Sequence, residues 1–173
     1  MKTPLYIIVA TDINNGIGKN GKMPWDFKKE MNHFKTITTQ TTDKNKQNMV
    51  IMGRTTWESI PLKFRPLKGR KNMVLTGNKD YMAKGAKVCD SIDTAINFAN
   101  ENIEKIFIIG GASVYKEAIN HQNLSGIYIT KINKTYDCDT FFHQIPKTFS
   151  KLKTLGKDKE NNINFEYLLY EID

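Results

Sequence analysis

An acidic residue stands where a surface helix would normally bury apolar side chains. On a helix that turns about 100° per residue, Glu30 of the stretch MPWDFKKEMNHF falls within the apolar arc. That arc consists of Phe27, Met31, Phe34 and Ile37. Burial would raise the pKa of this acid, because the charged form loses hydration. A carboxyl group that faces a cleft can bind a flat nitrogen heterocycle or help to deliver a proton. The alternative is that Glu30 reaches solvent or pairs with a lysine, although Lys28 and Lys29 lie outside the arc.

Two strand-to-helix junctions contain glycine and are typical of anion-binding sites. The stretch VIMGRTTWESIP (50–61) places Gly53 before a helical pattern, and KIFIIGGASVYKEA (105–118) places Gly110 and Gly111 there. Glycine lets the backbone approach a ligand closely, and a helix N-terminus favours negative charge. Each junction alone could be a tight turn. Together they indicate two phosphate groups of one ligand, as a dinucleotide carries.

Basic side chains near these junctions extend the anion-binding interpretation. Arg54 directly follows the first glycine, and its guanidinium could grip a phosphate through two hydrogen bonds. In FRPLKGRKN (64–72), Arg65, Lys68 and Arg70 surround a rigid turn that could hold a carboxylate. The same turn could equally be an exposed basic loop. The net charge of +8 fits an anionic ligand, or only a lysine-rich surface.

The elements that must position these residues alternate between strands and helices. Several short runs are apolar at nearly every position, as strands covered on both faces are. The predicted strands are 5–10, 48–52, 72–75, 87–89, 105–109 and 126–130. The predicted helices are 26–37, 54–60, 91–101 and 112–119, the third capped by Ser91 or Asp93. Strands 149–157 and 163–173 would flank the polar turn KDKENN as a closing hairpin. We predict an α/β fold: a mostly parallel eight-stranded central sheet flanked by about four helices, with a C-terminal antiparallel hairpin.

Two long segments between these elements lack periodicity. Residues 13–25 contain three glycines between a core strand and a helix. Loops of that length are usually functional or mobile, although this one could be a connector. Residues 36–48 are polar and rich in threonine, which predicts a surface loop rather than a linker between domains.

The composition limits the compartment and the class of protein. Cys89 and Cys138 are too few for a disulfide framework or a metal cluster, and they fit free thiols in a reducing compartment. The N-terminal apolar run LYIIVA is too short for a signal core, and nothing approaches the length of a membrane span. We expect a cytoplasmic protein without a metal site.

Taken together, these stretches resemble dihydrofolate reductase. The matching pieces, in the order and spacing of the family, are ATDINNGIG, MPWDFKKE, VIMGRTTWESIP, PLKGRKN, IIGGASVY and YITKIN. The acid on the pterin side is Glu rather than Asp, and RPLKGR is similar to the eukaryotic variant. The resemblance implies one domain over residues 1–173, with an adenosine-binding subdomain at roughly 48–104. It also implies reduction of 7,8-dihydrofolate to tetrahydrofolate, with hydride passing from NADPH to pterin C6 and a proton reaching N5.

The resemblance implies roles for residues on the substrate side. Glu30 would hold the amide and amino nitrogens of the pterin, with the Thr130 hydroxyl alongside, and water would carry the proton to N5. Met23 and Trp25 would stand at the base of a lid formed by residues 13–25. The pocket would be lined by Ile8, Val9, Met31, Phe34, Ile60 and Leu67, and Arg70 would grip the α-carboxylate of the glutamate tail. Diaminopyrimidine or pteridine antifolates would bind in the same pocket.

The resemblance also places NADPH along the two glycine junctions. Ala10, Ile17 and Gly18 would flank the nicotinamide, and both Gly110–Gly111 and Arg65–Pro66 would be cis peptide bonds. The remaining implied contacts are Gly21, Gly53, Arg54, Thr55, Thr56, Leu75, Thr76, Gly77, Ile109, Gly110, Gly111, Ala112, Ser113, Val114 and Tyr115. Members of the family often place Ser or Arg, and then a basic residue, at the positions of Gly77 and Asp90. Asp90 would repel a nearby 2′-phosphate, but Arg54, Thr55 and Thr76 remain, and we expect NADPH rather than NADH.

Two other interpretations compete with this one. The first is a reductase of the same fold that acts on a pyrimidine intermediate of riboflavin synthesis. Such enzymes lack the combination of MPWxxxxE and PLKGR that folate binding needs. The second is a small basic nucleic-acid-binding protein. Against it, the lysines of this sequence are scattered and no RNA- or DNA-binding signature is present. We therefore expect no nucleic-acid partner, no membrane association and a monomer.

Overall fold

The computed structural model describes residues 2–173 and contains ten strands and four α-helices within that range. The strands are β1 (Leu5–Thr11), β2 (Gly16–Gly18), β3 (Gln47–Gly53), β4 (Arg70–Leu75), β5 (Lys87–Cys89), β6 (Ile103–Gly110), β7 (Leu124–Ile132), β8 (Thr140–Phe141), β9 (Lys151–Glu160) and β10 (Ile163–Glu171). The helices are α1 (Lys28–Thr39), α2 (Arg54–Ser59), α3 (Ile92–Ile96) and α4 (Ala112–Ala118), and a short 3-10 turn covers Leu62–Phe64.

Eight of the strands form one sheet in the order β5-β4-β3-β6-β1-β7-β10-β9. The first six of these run parallel, and β10 pairs antiparallel with both β7 and β9. The prediction of a mostly parallel eight-stranded sheet with four helices and a closing antiparallel hairpin is confirmed. Because the parallel strands all end at one edge, their last residues come together there.

The apolar runs form strands because both faces of the sheet are covered. Alternate residues of β1 enter different clusters: Ile7 packs on one face with Ile106 and Ile108, and Ile8 packs on the other with Phe107. Removing apolar surface from water stabilises the folded state by about 25 cal/mol per Å². The continuous apolar pattern is therefore a direct consequence of two-sided packing.

One helix is shorter than the sequence predicts, and α1 extends to Thr39, into the segment predicted as a surface loop. The helix expected over 91–101 ends at Ile96, although Ser91 caps it as predicted by accepting a hydrogen bond from the Thr94 amide. Beyond Ile96 the chain closes in tighter turns, and the Asn100 side chain accepts from the amide of Asn102. Asparagine competes with the helix in this way because its short side chain offers the backbone an alternative partner.

The C-terminal hairpin has a shorter turn than predicted, and its second strand ends at Glu171 rather than at residue 173. Strand β9 continues to Glu160, so only Asn161 and Asn162 form the turn, both with positive φ (52° and 61°). Two consecutive residues of this kind are typical of a tight hairpin turn. The polar residues that suggested a loop contact the helix instead: Asp158 and Glu160 accept hydrogen bonds from the first residues of α1.

Three smaller predictions can be compared directly. Cys89 and Cys138 are both free thiols, as predicted. The peptide bonds Arg65–Pro66 and Gly110–Gly111 are both cis. Among the helices of residues 2–173, none is long and apolar enough to cross a membrane.

Candidate active site

Glu30 is buried in the first turn of α1, and its side chain is only 7% exposed. Burial raises the pKa of this carboxyl from 4.5 to about 7, and an interaction with the Thr130 hydroxyl opposes the shift. The prediction that α1 aims an acid inward is therefore confirmed. A carboxyl group with such a pKa changes its charge near neutral pH, as a general acid or base must.

Glu30 forms no ion pair with either neighbouring lysine among residues 2–173. The Lys29 ammonium lies 2.8 Å from Asp158 Oδ1. The backbone amides of Lys28 and Lys29 each donate to the Glu160 carboxylate at 2.9 Å, which completes the N-terminus of the helix. The start of α1 is thereby held against the hairpin, with Glu30 on the inner side.

Aromatic side chains form an apolar cluster that lies beside Glu30 at Tyr167, whose pKa the Glu30 charge helps to raise. Trp25 packs against Tyr136 with ring centroids 5.2 Å apart, and His33 stacks on Tyr167 at 3.7 Å. Trp25 Nε1 and Tyr167 Oη are buried and have no hydrogen-bond partner among residues 2–173. Each is a polar group that a ligand or an ordered water could satisfy. The sequence predicted a role for Trp25 only.

The predicted substrate pocket is partly assembled. Four of its six apolar residues belong to one cluster on the α1 side of the sheet: Ile8, Phe34, Ile60 and Leu67. Two residues differ from expectation. Met31 is 45% exposed and does not belong to the apolar cluster of the other four. Val9 packs with Val114 in the cluster on the opposite face, because neighbouring strand residues alternate, so its side chain does not line the pocket with Ile8.

Arg70 occupies a fixed position at the start of β4. Its Nε donates to the Lys68 carbonyl at 3.0 Å and its Nη1 donates to Thr38 Oγ1 at 2.9 Å. Burial lowers the pKa of this guanidinium, yet no carboxylate within the described chain pairs with it. It is therefore a positioned cation available to an anionic ligand.

Asn72 is a residue that the sequence interpretation missed. It is nearly buried, and it exchanges two hydrogen bonds of 2.9 Å with the backbone of Leu67. Those bonds hold the turn that carries Leu67 and Arg70. An amide side chain at the start of the apolar run NMVL is the signal that could have identified it.

The two glycine junctions pack against each other and form one surface. A Cβ atom at Gly110 would lie 2.9 Å from Thr56 Oγ1, and this glycine has a φ of 141°. A Cβ atom at Gly53 would lie 3.2 Å from Val114 Cγ2 and 3.6 Å from the Gly111 nitrogen. Side chains at these positions would collide with the facing junction, so glycine lets the two junctions pack closely.

The other predicted cofactor residues lie around this surface. Leu75, Thr76 and Gly77 follow one another at the end of β4, and a Cβ atom at Gly77 would meet nothing within 4 Å. Ile109 is the last residue but one of β6, and the first turn of α4 consists of Ala112, Ser113, Val114 and Tyr115. The Tyr115 hydroxyl donates to the Ile8 carbonyl at 2.8 Å and so connects α4 to β1.

Charged groups near this surface are already engaged. The Arg54 guanidinium lies 2.8 Å from Glu58 and 4.5 Å from the centre of the Tyr81 ring, next to Thr55 and Thr56 in α2. To bind a phosphate, the Arg54 guanidinium would have to release the Glu58 carboxylate. Hydrogen bonds with Thr94 and Ser91 hold the pKa of Asp90 below its ordinary value, so Asp90 carries a negative charge.

Residues 13–25 are more ordered at their start than the sequence predicted. Gly16 and Gly18 belong to strand β2, which pairs with β8, and Ile17 packs partly against the core. The later part, with Gly21 and Met23, is exposed. The strand was missed because its partner, β8, lies more than a hundred residues away and has only two residues.

Asp12 and Asp139 hold this loop, and neither was singled out by the sequence. The Asp139 carboxylate accepts from the Asn20 amide at 2.9 Å, and the Asp139 amide donates to the Gly18 carbonyl at 3.0 Å. Asp12 is fully buried at the end of β1. An acid directly after an apolar strand was the available signal.

Comparisons with known proteins agree on one family. The family model described as dihydrofolate reductase matches residues 4–172. The dihydrofolate reductase of Heliothis virescens is 43% identical over 178 aligned residues, which cover 96% of each chain. That of Drosophila melanogaster is 41% identical and covers 95% of this chain and 96% of the relative. The solved structure of Schistosoma mansoni dihydrofolate reductase superposes with a TM-score of 0.84 at 36% identity, covering both chains completely.

Proposed function

The chain belongs to the dihydrofolate reductase family, and from this premise we propose that it reduces 7,8-dihydrofolate to tetrahydrofolate with NADPH as the hydride donor. The observation that carries the proposal is the buried Glu30 carboxyl, whose pKa of about 7 suits acid catalysis at neutral pH. The pterin ring would stand against Glu30 and Thr130, with its benzoyl group among Ile8, Phe34 and Leu67.

Residues of the pocket bind and orient the substrate. Glu30 would pair with the amino and amide nitrogens of the pterin, and the fixed Arg70 guanidinium would pair with the α-carboxylate of the glutamate tail. The buried, unpartnered Trp25 Nε1 supports a water between Trp25 and the substrate, and such a water would carry the proton to N5. Met23, on the exposed part of the loop, would help to exclude bulk solvent.

The residues of the glycine surface fit a dinucleotide. Gly53, Gly110 and Gly111 let the two strand-to-helix junctions pack closely, which would bring the backbone N–H groups of both junctions to one pyrophosphate. Bound there, NADPH would supply the hydride. Ala10, Ile17 and Gly18 would orient the nicotinamide, while Thr55, Thr56 and Ser113 offer hydroxyl donors to phosphate.

We also propose that residues 48–104 form an adenosine-binding subdomain. That range contains the sheet edge β3-β4-β5 and the helices α2 and α3. Leu75, Thr76 and Gly77 would contact the adenosine, and Arg54 would contact its 2′-phosphate. Binding of antifolates in the pterin pocket, a monomeric state and a cytoplasmic location stay predictions from the sequence.

The test is oxidation of NADPH by the purified protein in the presence of 7,8-dihydrofolate, followed at the absorbance of reduced nicotinamide. We expect turnover that requires both substrates and that a diaminopyrimidine antifolate inhibits. The absence of turnover in folded protein would contradict the proposal.

The same assay compares the two cofactors. We expect kcat/KM to be higher with NADPH than with NADH, despite the negative charge of Asp90. An equal or higher value with NADH would overturn the choice of NADPH while leaving the reductase activity in place. A salt-dependent shift of nucleic acid without any turnover would favour the nucleic-acid-binding alternative instead.

A further inference from the structure

Asp12 makes three hydrogen bonds to backbone amides from a fully buried position. Its Oδ1 accepts from the amides of Asn14 at 2.8 Å and Gly16 at 2.7 Å, and its Oδ2 accepts from the amide of Tyr136 at 3.0 Å. The Cys138 thiol lies 4.0 Å from the same Oδ2. A buried carboxylate is stable in such a place only because donors replace its water shell.

The three amides belong to two different parts of the chain. Asn14 and Gly16 lie at the start of the loop 13–25, whereas Tyr136 lies in the segment between β7 and β8. Oδ1 therefore shapes the first turn of the loop, and Oδ2 connects that turn to the other segment. The space around the carboxylate is filled, since a Cβ atom at Gly16 would lie 2.5 Å from Cys138 Sγ and 3.0 Å from Asp12 Oδ1.

Backbone bonds surround this connection but do not replace it. The amide of Ile13 donates to the Lys134 carbonyl at 3.2 Å, and that of Phe142 donates to the Asn15 carbonyl at 2.7 Å. Of these contacts, only the Asp12 bond reaches the backbone of Tyr136, whose ring packs against Trp25. Asp12 thus holds the backbone of Tyr136, one member of the Trp25–Tyr136 pair, without itself belonging to that aromatic cluster.

We propose that Asp12 is a positioning residue that fixes residues 13–18 and the Tyr136–Trp25 wall relative to each other. The inference rests on the proposed function, because the loop is taken to cover the nicotinamide. Its movement would then be confined to the exposed residues 19–24. The carboxylate would act on cofactor binding and on the hydride step through the loop, not through contact with the reacting atoms.

Asp12→Asn isolates the connection between the two segments. The amide oxygen can keep the two bonds of Oδ1, whereas the amide nitrogen then faces the Tyr136 N–H as donor against donor. Asp12→Ser, which keeps a small acceptor, is the second variant in case Asp12→Asn folds poorly. The matched control is Glu104→Gln, because the Glu104 carboxylate also accepts from backbone amides, those of Thr42 and Asp43, in a loop at the far end of α1.

The first readout is amide hydrogen exchange of the protein without cofactor. In Asp12→Asn we expect about tenfold faster exchange in residues 13–18 and 134–142, and unchanged exchange in β3 and β4, as loss of one buried hydrogen bond predicts. Glu104→Gln should affect only the segment around Thr42. Unchanged exchange in both segments of the Asp12 variants would overturn the proposal, whatever the outcome of the activity assay.

The second readout separates positioning from general destabilisation. At a temperature where all variants are folded, we expect Asp12→Asn to raise the Kd of NADPH and to slow the hydride step, each by about five- to tenfold. The KM for dihydrofolate should stay within about twofold, and Glu104→Gln should match the wild type in every constant. Equal effects of the Asp12 and Glu104 variants would mean a purely structural role. Wild-type protein without turnover would instead defeat the proposed function and leave the exchange result standing.

Discussion

Glu30 and Asp12 are both buried acids beside the same loop, but the protein surrounds them in different ways. Glu30 interacts with the Thr130 hydroxyl and lies near Tyr167, and burial raises its pKa to about 7. Asp12 accepts three backbone N–H groups within 3.0 Å. An acid with few donors can gain or lose a proton during turnover, whereas an acid with three fixed donors holds its backbone partners in place. From this difference we infer that Glu30 takes part in proton transfer and that Asp12 positions the loop.

The largest expected difference is in turnover at neutral pH. Glu30→Gln removes the acid but keeps the shape, and we expect kcat/KM for dihydrofolate at pH 7 to fall by about a hundredfold or more. Asp12→Asn should cost only about tenfold, because it acts through the loop. Steady-state kinetics of both variants check the order. Glu30→Gln with the rate of the wild type would remove the contrast between the two acids.

The next effect concerns stability against pH and involves Glu30. Because its pKa is about 7 when folded and 4.5 when exposed, the native state binds the proton more tightly. The resulting contribution to the free energy of unfolding is about 3 kcal/mol. It is complete below pH 4.5 and is lost as the pH rises through 7. Urea unfolding of wild type and Glu30→Gln at pH 4.5 and pH 8 measures it. We expect the wild type to lose about 3 kcal/mol relative to the variant over this interval, and equal changes in the two proteins would contradict the buried state of Glu30.

The smallest effect tests the one hydroxyl beside Glu30. Since the interaction with Thr130 lowers the pKa of Glu30, Thr130→Val should raise that pKa further, by roughly 0.7 pH unit for one hydrogen bond. A carbon-13 NMR titration of the glutamate carboxyl groups in the cofactor-free protein measures the change. A lower pKa in the variant would show that Thr130 does not stabilise the carboxylate.

Much of this arrangement could be predicted from the sequence because the signals are local. The apolar runs identify strands with two covered faces, and the position of Glu30 on α1 follows from helical spacing alone. The contacts of Asp12 could not be predicted, because its partner Tyr136 lies 124 residues away. The exposure of Met31 was also missed, since an apolar arc does not distinguish a packed core from the opening of a cleft.

The ends of elements were less predictable for a similar reason. Strand β9 continues through polar residues because Asp158 and Glu160 find partners at the start of α1, a contact between distant parts of the chain. Sequence periodicity carries no information on such partners. The length and glycines of the loop 13–25 predict a functional role, but the pairing of its residues with β8 depends on the tertiary fold.

The central claim is that Glu30 is the acid on which turnover depends, and the pH dependence of kcat/KM for dihydrofolate tests it most directly, because this parameter reports the pKa values of the free enzyme. For the wild type we predict a plateau at low pH and a tenfold fall per pH unit above an apparent pKa of about 7. In Glu30→Gln the same fall should be absent. A wild-type profile that is flat between pH 5.5 and 8.5 would contradict the account. So would a fall above pH 7 that persists unchanged in Glu30→Gln.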